Sequence, residues 1–294
     1  MWSAITVRNN RPITIRNAFT VDVEEYFQVE AFSGIIEKKD WENYPRRAEG
    51  QTHRLLDILE THKVQGTFFV LGWLAEKNPA LIREIHDAGH EIASHGFDHR
   101  MISKMTPEEF RKDIRRSKEV LEGITNSAVV GYRAPTFSIL EKTAWAYEVL
   151  LQEGYRYSSS VFPIWHDRYG WPKFGNHPRR MASNGNGEIW EIPMTVRSFG
   201  PLKIPFGGGG YLRSYPFFLT KALFRSHARN EKPAIVYIHP WELDPQHPKV
   251  PAPFLRRFRH HMGIPKMERK LIGLLQSMKF GTLSQMLEVF QPSP

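Results

Sequence analysis

Short apolar runs alternate with amphipathic segments along almost the whole chain, and this alternation constrains the fold more than any single residue. "AFTVDVE" (18–24) reads as a strand running into acids, and "HRLLDILETH" (53–62) has helical spacing. "VQGTFFVLG" (64–72) is a second strand, "NPALIREIHDAGH" (78–90) a helix opened by Asn–Pro and stopped at Gly89, and "EIASH" (91–95) a third strand. The strongest helix spans 106–125, with Thr106 as cap, Pro107 at the first helical position and Glu109 completing a capping box. A strand over 128–135, a helix over 142–154, strands over 157–162 and 188–196, a helix over 214–230, a strand over 233–243 and a helix over 265–278 complete the series. Strands and helices in strict alternation indicate parallel βα units. About six or seven units in 294 residues predict a distorted α/β barrel of the (β/α)7, TIM-like kind in one domain, rather than a small open sheet.

Barrels of this kind do their chemistry at the C-terminal ends of the strands. Asp22, Glu24 and Glu25 end the first strand. His95 and His99, in "HEIASHGFDH" (90–99), end the third. Arg133 and Pro135 end the fourth, and His239, Trp241 and Glu242 follow "AIVYI". Four separated strands each finish in reactive groups, whereas random placement would scatter them over both ends.

There is no cysteine, so thiolate metal sites and disulfides are excluded and any metal must sit on His, Asp or Glu. The formal charge of +9 invites an anionic partner, but the positive residues are scattered apart from "RRFRHH" (256–261). No nucleic-acid-binding motif accompanies them, so no nucleic acid is expected. The N-terminal stretch shows no leader pattern, and no run approaches the ~20 apolar residues of a membrane span. The expectation is a cytoplasmic protein without a transmembrane segment, in peripheral contact with the inner face of the membrane.

Two imidazoles and a carboxylate suit zinc or a similar divalent ion, and cobalt, nickel and manganese accept the same donors. Such an ion polarises a carbonyl and lowers the pKa of water, a free carboxylate can take the water's proton, and a histidine on another strand can protonate the leaving group. Asp22 and His239 are the candidates for these last two roles. The set describes metal-assisted hydrolysis of an amide or ester.

"FTVDVEEYF", "TFFVLG", "AGHEIASHGFDH", "GYRAPTFS" and "YIHPWELDP", in this order, resemble the polysaccharide deacetylase family, the NodB-homology carbohydrate esterases that remove N-acetyl groups from sugars. The resemblance runs from about residue 18 to 245, with 246–294 as a C-terminal helical extension closing the barrel. "DVEEYF", "FGGGGYLRS" and "HPWELDP" with "RFRHH" look most like the subgroup encoded with exosortase and exopolysaccharide loci. The resemblance implies Asp22 as base, His95 and His99 as metal ligands, Arg133 as the residue orienting the base, Pro135 as part of the groove and His239 as general acid. It implies an N-acetylated glycan or lipid-linked sugar as substrate.

Two positions depart from the pattern. Family members mostly pair adjacent aspartates in the first motif, but Val23 follows Asp22 here, so Glu24 is assigned as third ligand, with Asp22 as fallback. Ser158 in "YSSS" stands where an aspartate holding the arginine is expected. The D-x-acid spacing also resembles cyclic-imide hydrolases of the same fold, and the departures together leave a non-catalytic glycan-binding protein as a third reading. Tyr211, Trp241, Trp165 and Trp171 could stack on sugar rings. "GGGG" (207–210) reads as a flexible connector, or alternatively as a place where a sugar approaches the backbone.

Overall fold

Seven consecutive parallel strands carry the fold, with an eighth short one beside the first, in a computed structural model that describes residues 17–166, 169–185, 187–200, 202–228 and 233–290. The strands are β1 (Asn17–Val23), β2 (Thr67–Val70), β3 (Glu91–Ser94), β4 (Gly131–Tyr132), β5 (Tyr157–Ser158), β6 (Arg179–Asn184), β7 (Gly187–Glu191), β8 (Val196–Phe199), β9 (Leu202–Pro205), β10 (Ile235–Ile238) and β11 (Phe280–Gly281). The helices are α1 (Ala48–Thr61), α2 (Gly72–Lys77), α3 (Pro79–Asp87), α4 (Pro107–Thr125), α5 (Ala146–Gln152), α6 (Gly209–Ser214), α7 (Phe217–Ala228), α8 (Phe254–His261), α9 (Met267–Ser277) and α10 (Leu283–Glu288). The main sheet runs β10-β1-β2-β3-β4-β5-β7-β6, with β11 beside the start of β1. All neighbours pair in parallel except β6 with β7. The backbone ladders of the described residues therefore form an open path, not a closed ring. Near the gap, Thr195 Oγ1 accepts from Ile235 N at 2.7 Å, and Gly208 bridges to Tyr237.

Side chains alternate across each strand, and the two faces bury different things. Phe19, Val21, Val23, Phe68, Val70 and Ile92 pack with helix residues such as Leu55, Ile82 and Ile114. Ala18, Phe69, Ala93, Ile192, Met194 and Ile235 form an inner cluster that α10 plugs with Leu283, Met286 and Leu287. Asp22 belongs by parity to the inner face, with Ala18.

Sequence and structure differ where proline or polar composition intervenes. The helix expected over 214–230 begins only at Phe217, as α7, because Tyr215, held extended (φ −76°, ψ 145°), precedes Pro216 and closes the separate short helix α6 at Ser214; residues 229–230 lie outside the described residues, as does the N-terminal stretch up to residue 16. The strand expected over 188–196 stops at Glu191 before Pro193, and Val196 opens a separate antiparallel hairpin, β8–β9. β6 reads as polar and half-exposed, which hid it. α4 has the capping box of Thr106 and Glu109 and ends on Asn126 in the left-handed region (φ 51°).

Candidate metal and catalytic site

Strand register brings the reactive residues together. Val23, Val70, Ser94 and Tyr132 lie on one level of β1, β2, β3 and β4, so Glu24, His95 and Arg133 all stand one step beyond it. On the other side Val21 faces Ile238, which sets His239 beside Asp22. The five residues come from four strands that are contiguous with β2 in the sheet.

Glu24, His95 and His99 offer ligand atoms that all lie within 4.8 Å of one another. His95 Nδ1 is 2.9 Å from the Arg133 carbonyl oxygen, which can only accept. Nδ1 therefore carries the hydrogen and Nε2 presents its lone pair, the arrangement of a metal-bound histidine supported from behind. His99 is held at φ 58°, a left-handed conformation uncommon for a residue with a Cβ, after the turn at Gly96. Its Nε2 is 2.9 Å from Glu24 Oε2, yet that buried oxygen has no hydrogen bond of acceptable geometry. A buried carboxylate oxygen without a hydrogen-bond partner, facing two imidazoles, fits a divalent cation.

Burial by itself would raise the pKa of Glu24, but the neighbouring His99, with His239 and His95, holds it below the ordinary carboxylate value. Burial pushes His95 down to about 3, with His99 adding to the effect, so it stays neutral. His99 moves the other way: burial opposes its charge, and Glu24 outweighs burial.

Asp22 is buried against Arg133, whose Nη1 donates to Asp22 Oδ1 at 2.6 Å. Arg133 is fully buried and every one of its five N–H groups has a partner. Nε donates to the Ser159 carbonyl at 3.0 Å, Nη1 also donates to Thr20 Oγ1 at 2.9 Å, and Nη2 donates to Ser159 Oγ at 3.2 Å and weakly to Met194 Sδ at 3.9 Å. Its plane lies 4.1 Å from the Phe69 ring centre. Ser158 takes no part: its hydroxyl donates to Ser160 Oγ at 2.7 Å. The contacts an aspartate was expected to make with the arginine are supplied by Ser159, one residue on.

His239 Nε2 lies 3.5 Å from Glu24 Oε1 and 3.9 Å from Asp22 Oδ2. Its Nδ1 is 3.4 Å from Glu242 Oε2, which also accepts from the His239 backbone N–H at 3.0 Å. Burial disfavours the imidazolium, but Glu242, Glu24 and Asp22 more than offset it and raise the pKa to about 9. Glu242 Oε1 in turn accepts from Arg213 Nε at 2.8 Å. The Arg213–Glu242–His239 relay was not assigned from sequence. Its signal was there in "HPWE", where a glutamate three residues after the histidine can reach back as in a capping box.

The remaining residues separate. Pro135 is buried at the start of a turn in which Thr136 (φ 56°) and Phe137 (φ 51°) are both left-handed. Trp241 is buried, and its ring stacks on His239 (5.1 Å, 20°) and on His260 (4.2 Å, 20°). Tyr211 is half-buried, with its ring 6.5 Å from Phe162 and 5.9 Å from Tyr215. Glu25 turns away and accepts the Arg47 and Ala48 amides at the start of α1. The glycine run is a packing device, not a flexible connector. A Cβ on Gly208 would overlap the Tyr237 ring, and one on Gly209 the Glu242 carboxylate.

Residues 41–157 match the family model described as Polysaccharide deacetylase, and residues 159–288 match one described as Domain of unknown function (DUF3473). A peptidoglycan-N-acetylglucosamine deacetylase of Bacillus cereus is 37% identical over 98 residues, covering 33% of this chain and 36% of that protein. A second from the same organism is 28% identical over 141 residues, 46% of this chain and 63% of the relative. The chain thus spans between about a third and just under two thirds of the length of these two relatives. A crystal structure assigned to a polysaccharide deacetylase from Mycobacterium smegmatis shares the fold, with a TM-score of 0.58 at 22% identity over 97% of this chain and 93% of that one.

Proposed function

We propose that the protein is a metal-dependent N-deacetylase acting on an N-acetylated sugar of a polysaccharide or its lipid-linked precursor. The observation that carries this reading is the convergence of Glu24, His95 and His99 within 4.8 Å, beside an Asp22–Arg133 pair and a histidine on β10. The relatives named above as peptidoglycan deacetylases support the reaction class. We take the chain as a single deacetylase unit, its seven parallel strands being those of a (β/α)7 barrel.

Glu24, His95 and His99 would hold a divalent ion, with zinc the expected species. When bound, it supplies Lewis-acid polarisation of the acetamide carbonyl and a lowered pKa for water. Asp22 has one oxygen fixed by Arg133, which leaves Oδ2 to take the proton of the attacking water. His239 carries a proton on the side facing the site and delivers it to the departing amine as the C–N bond breaks. Acetate and a free amino sugar are the products. Glu242 keeps His239 oriented and charged, and the Arg133 carbonyl fixes the His95 tautomer. Tyr211 offers a ring for a sugar further along the chain.

Acetate release from N-acetylglucosamine oligomers tests the reading, with metal-stripped, zinc-reconstituted and reconstituted Asp22→Asn protein side by side. Zinc-dependent release that is lost in the variant is expected. A folded, zinc-loaded protein that opens cyclic imides and releases no acetate from sugars would replace it with the imide reading, which the Asp22-Val23-Glu24 spacing favours.

A further inference from the structure

The helix α8, "FLRRFRHH", leaves its large apolar side chains exposed. Phe254 is 72% exposed, Leu255 56% and Phe258 52%. At 3.6 residues per turn these three share one stripe about 100° wide, and the Phe254 and Phe258 rings stack at 6.1 Å and 22°. The opposite side carries His260, which is buried. The stripe therefore points away from the protein body. Arg256 and Arg259 flank it on one side and Arg257 on the other, and none of them pairs with a carboxylate among the described residues. From residue 245 to residue 267 there is no aspartate or glutamate, while Lys249 and Lys266 add to the positive charge.

The body holds this helix firmly. His260 stacks on Trp241 at 4.2 Å, and Arg213 Nη1 donates to the His260 carbonyl at 2.7 Å. A second apolar exposure is Phe218 (75%) on α7, whose chain neighbour Phe217 lines a cleft of about 830 Å³. That cleft reaches from Phe217 to Met262, just after α8, and carries Lys266, Arg269 and Lys270 in its lining.

We infer that α8 is an interfacial helix that docks the protein on an anionic membrane surface, with Phe254, Leu255 and Phe258 entering the headgroup boundary and the three arginines engaging lipid phosphates. Aromatic and aliphatic groups on one face, rimmed by unpaired arginines, are what such a surface binds. A second copy of the chain fits worse, because a two-fold contact through this stripe would set arginine against arginine. A soluble polyanion would use the arginines and leave the apolar stripe bare. The helix is also near the candidate site through its buried side: His260 stacks on Trp241, and Trp241 on His239. If the proposed deacetylase reading holds, the site works on glycan presented at the lipid surface; the docking itself does not depend on that reading.

Co-sedimentation of the full chain with vesicles tests it, using phosphatidylcholine alone and phosphatidylcholine with phosphatidylglycerol. Binding to the anionic vesicles is expected, weakening as salt is raised. F254S/L255S/F258S should abolish it. R256Q/R257Q/R259Q should weaken it roughly a hundredfold, about fivefold for each arginine removed. These side chains are exposed, so both variants should keep the parent's thermal midpoint and zinc affinity. A parent that stays in the supernatant at low salt overturns the inference. So does equal binding by the parent and the apolar variant, which would assign the affinity to general charge. A parent dimer on size exclusion that the apolar variant dissociates would also overturn it, by showing the stripe covered by a second copy.

Discussion

Removing both charges of the Asp22–Arg133 pair should cost the protein clearly less than the two single losses added together. The pair is buried, with Nη1 and Oδ1 2.6 Å apart and side-chain exposures of 0% and 3%. Charge centres about 4 Å apart interact by about 4 kcal/mol at an effective dielectric constant of 20. Loss of one partner from a buried pair typically costs about 3–5 kcal/mol, because the other charge is left without compensation. Arg133→Met should fall in that range, since it also strands Thr20 Oγ1 and the Ser159 carbonyl as acceptors. Asp22→Asn should cost less, about 1–3 kcal/mol, because the amide oxygen can still accept from Nη1. The double variant should be more stable than the sum of the two predicts, by about 2 kcal/mol or more. Urea denaturation of metal-free protein at neutral pH measures all four corners of the cycle. An additive cycle, or a cost below about 1 kcal/mol for Arg133→Met, would refute the claim that this pair is a desolvated unit.

Further outcomes follow from other contacts. Zinc at a thousandfold excess over its dissociation constant should stabilise the protein by about 4 kcal/mol, and calorimetric titration of His99→Gln should show most of that affinity gone. In metal-free protein His239 titrates at about 9, above its ordinary value, so its stabilising contribution is complete below pH 6.5 and lost as pH rises through 9; histidine C–H NMR resonances report the pKa, and urea denaturation at neutral and alkaline pH the loss. Gly209→Ala should destabilise by about 1–3 kcal/mol, because its methyl group would displace Glu242, which holds both Arg213 and His239; Gly210→Ala, with open space around its Cβ position, should be neutral or stabilising by about 0.5–1 kcal/mol.

The longer parallel strands were legible because they are short apolar runs bounded by capping or breaking residues. Thr106, Pro107 and Glu109 show this best: the sequence spacing and the observed capping box coincide. Short elements escaped. α2 follows β2 without a break in hydrophobicity, so the strand read over 64–72 takes in Gly72 and no helix is read over 73–77. β6 and the β8–β9 hairpin carry little apolar alternation, and their pairing comes from antiparallel partners that no local pattern announces. Two-residue strands such as β4 owe their place to neighbouring ladders and not to propensity.

Strand-end position alone brought Asp22, Glu24, His95, Arg133 and His239 into view, because period-two alternation and parallel register leave such residues one level apart on the same face. What the sequence could not show is which groups support them. Arg133 is held by Ser159, not by the position where a carboxylate was expected, because its Nε reaches a backbone carbonyl that any residue at 159 would supply. The glycines at 208 and 209 looked like freedom and are constraint: they allow the backbone to pass Tyr237 and Glu242 at a distance no side chain permits. Trp241, expected as a sugar platform, is buried and stacks on His239 and His260. In each case the residue type was informative about chemistry, but its role depended on what packed against it. A first shell can be read from order and spacing along strands. The shell behind it is set by contacts between distant segments, such as Arg213 with Glu242, which the strands bring together only once the sheet has formed.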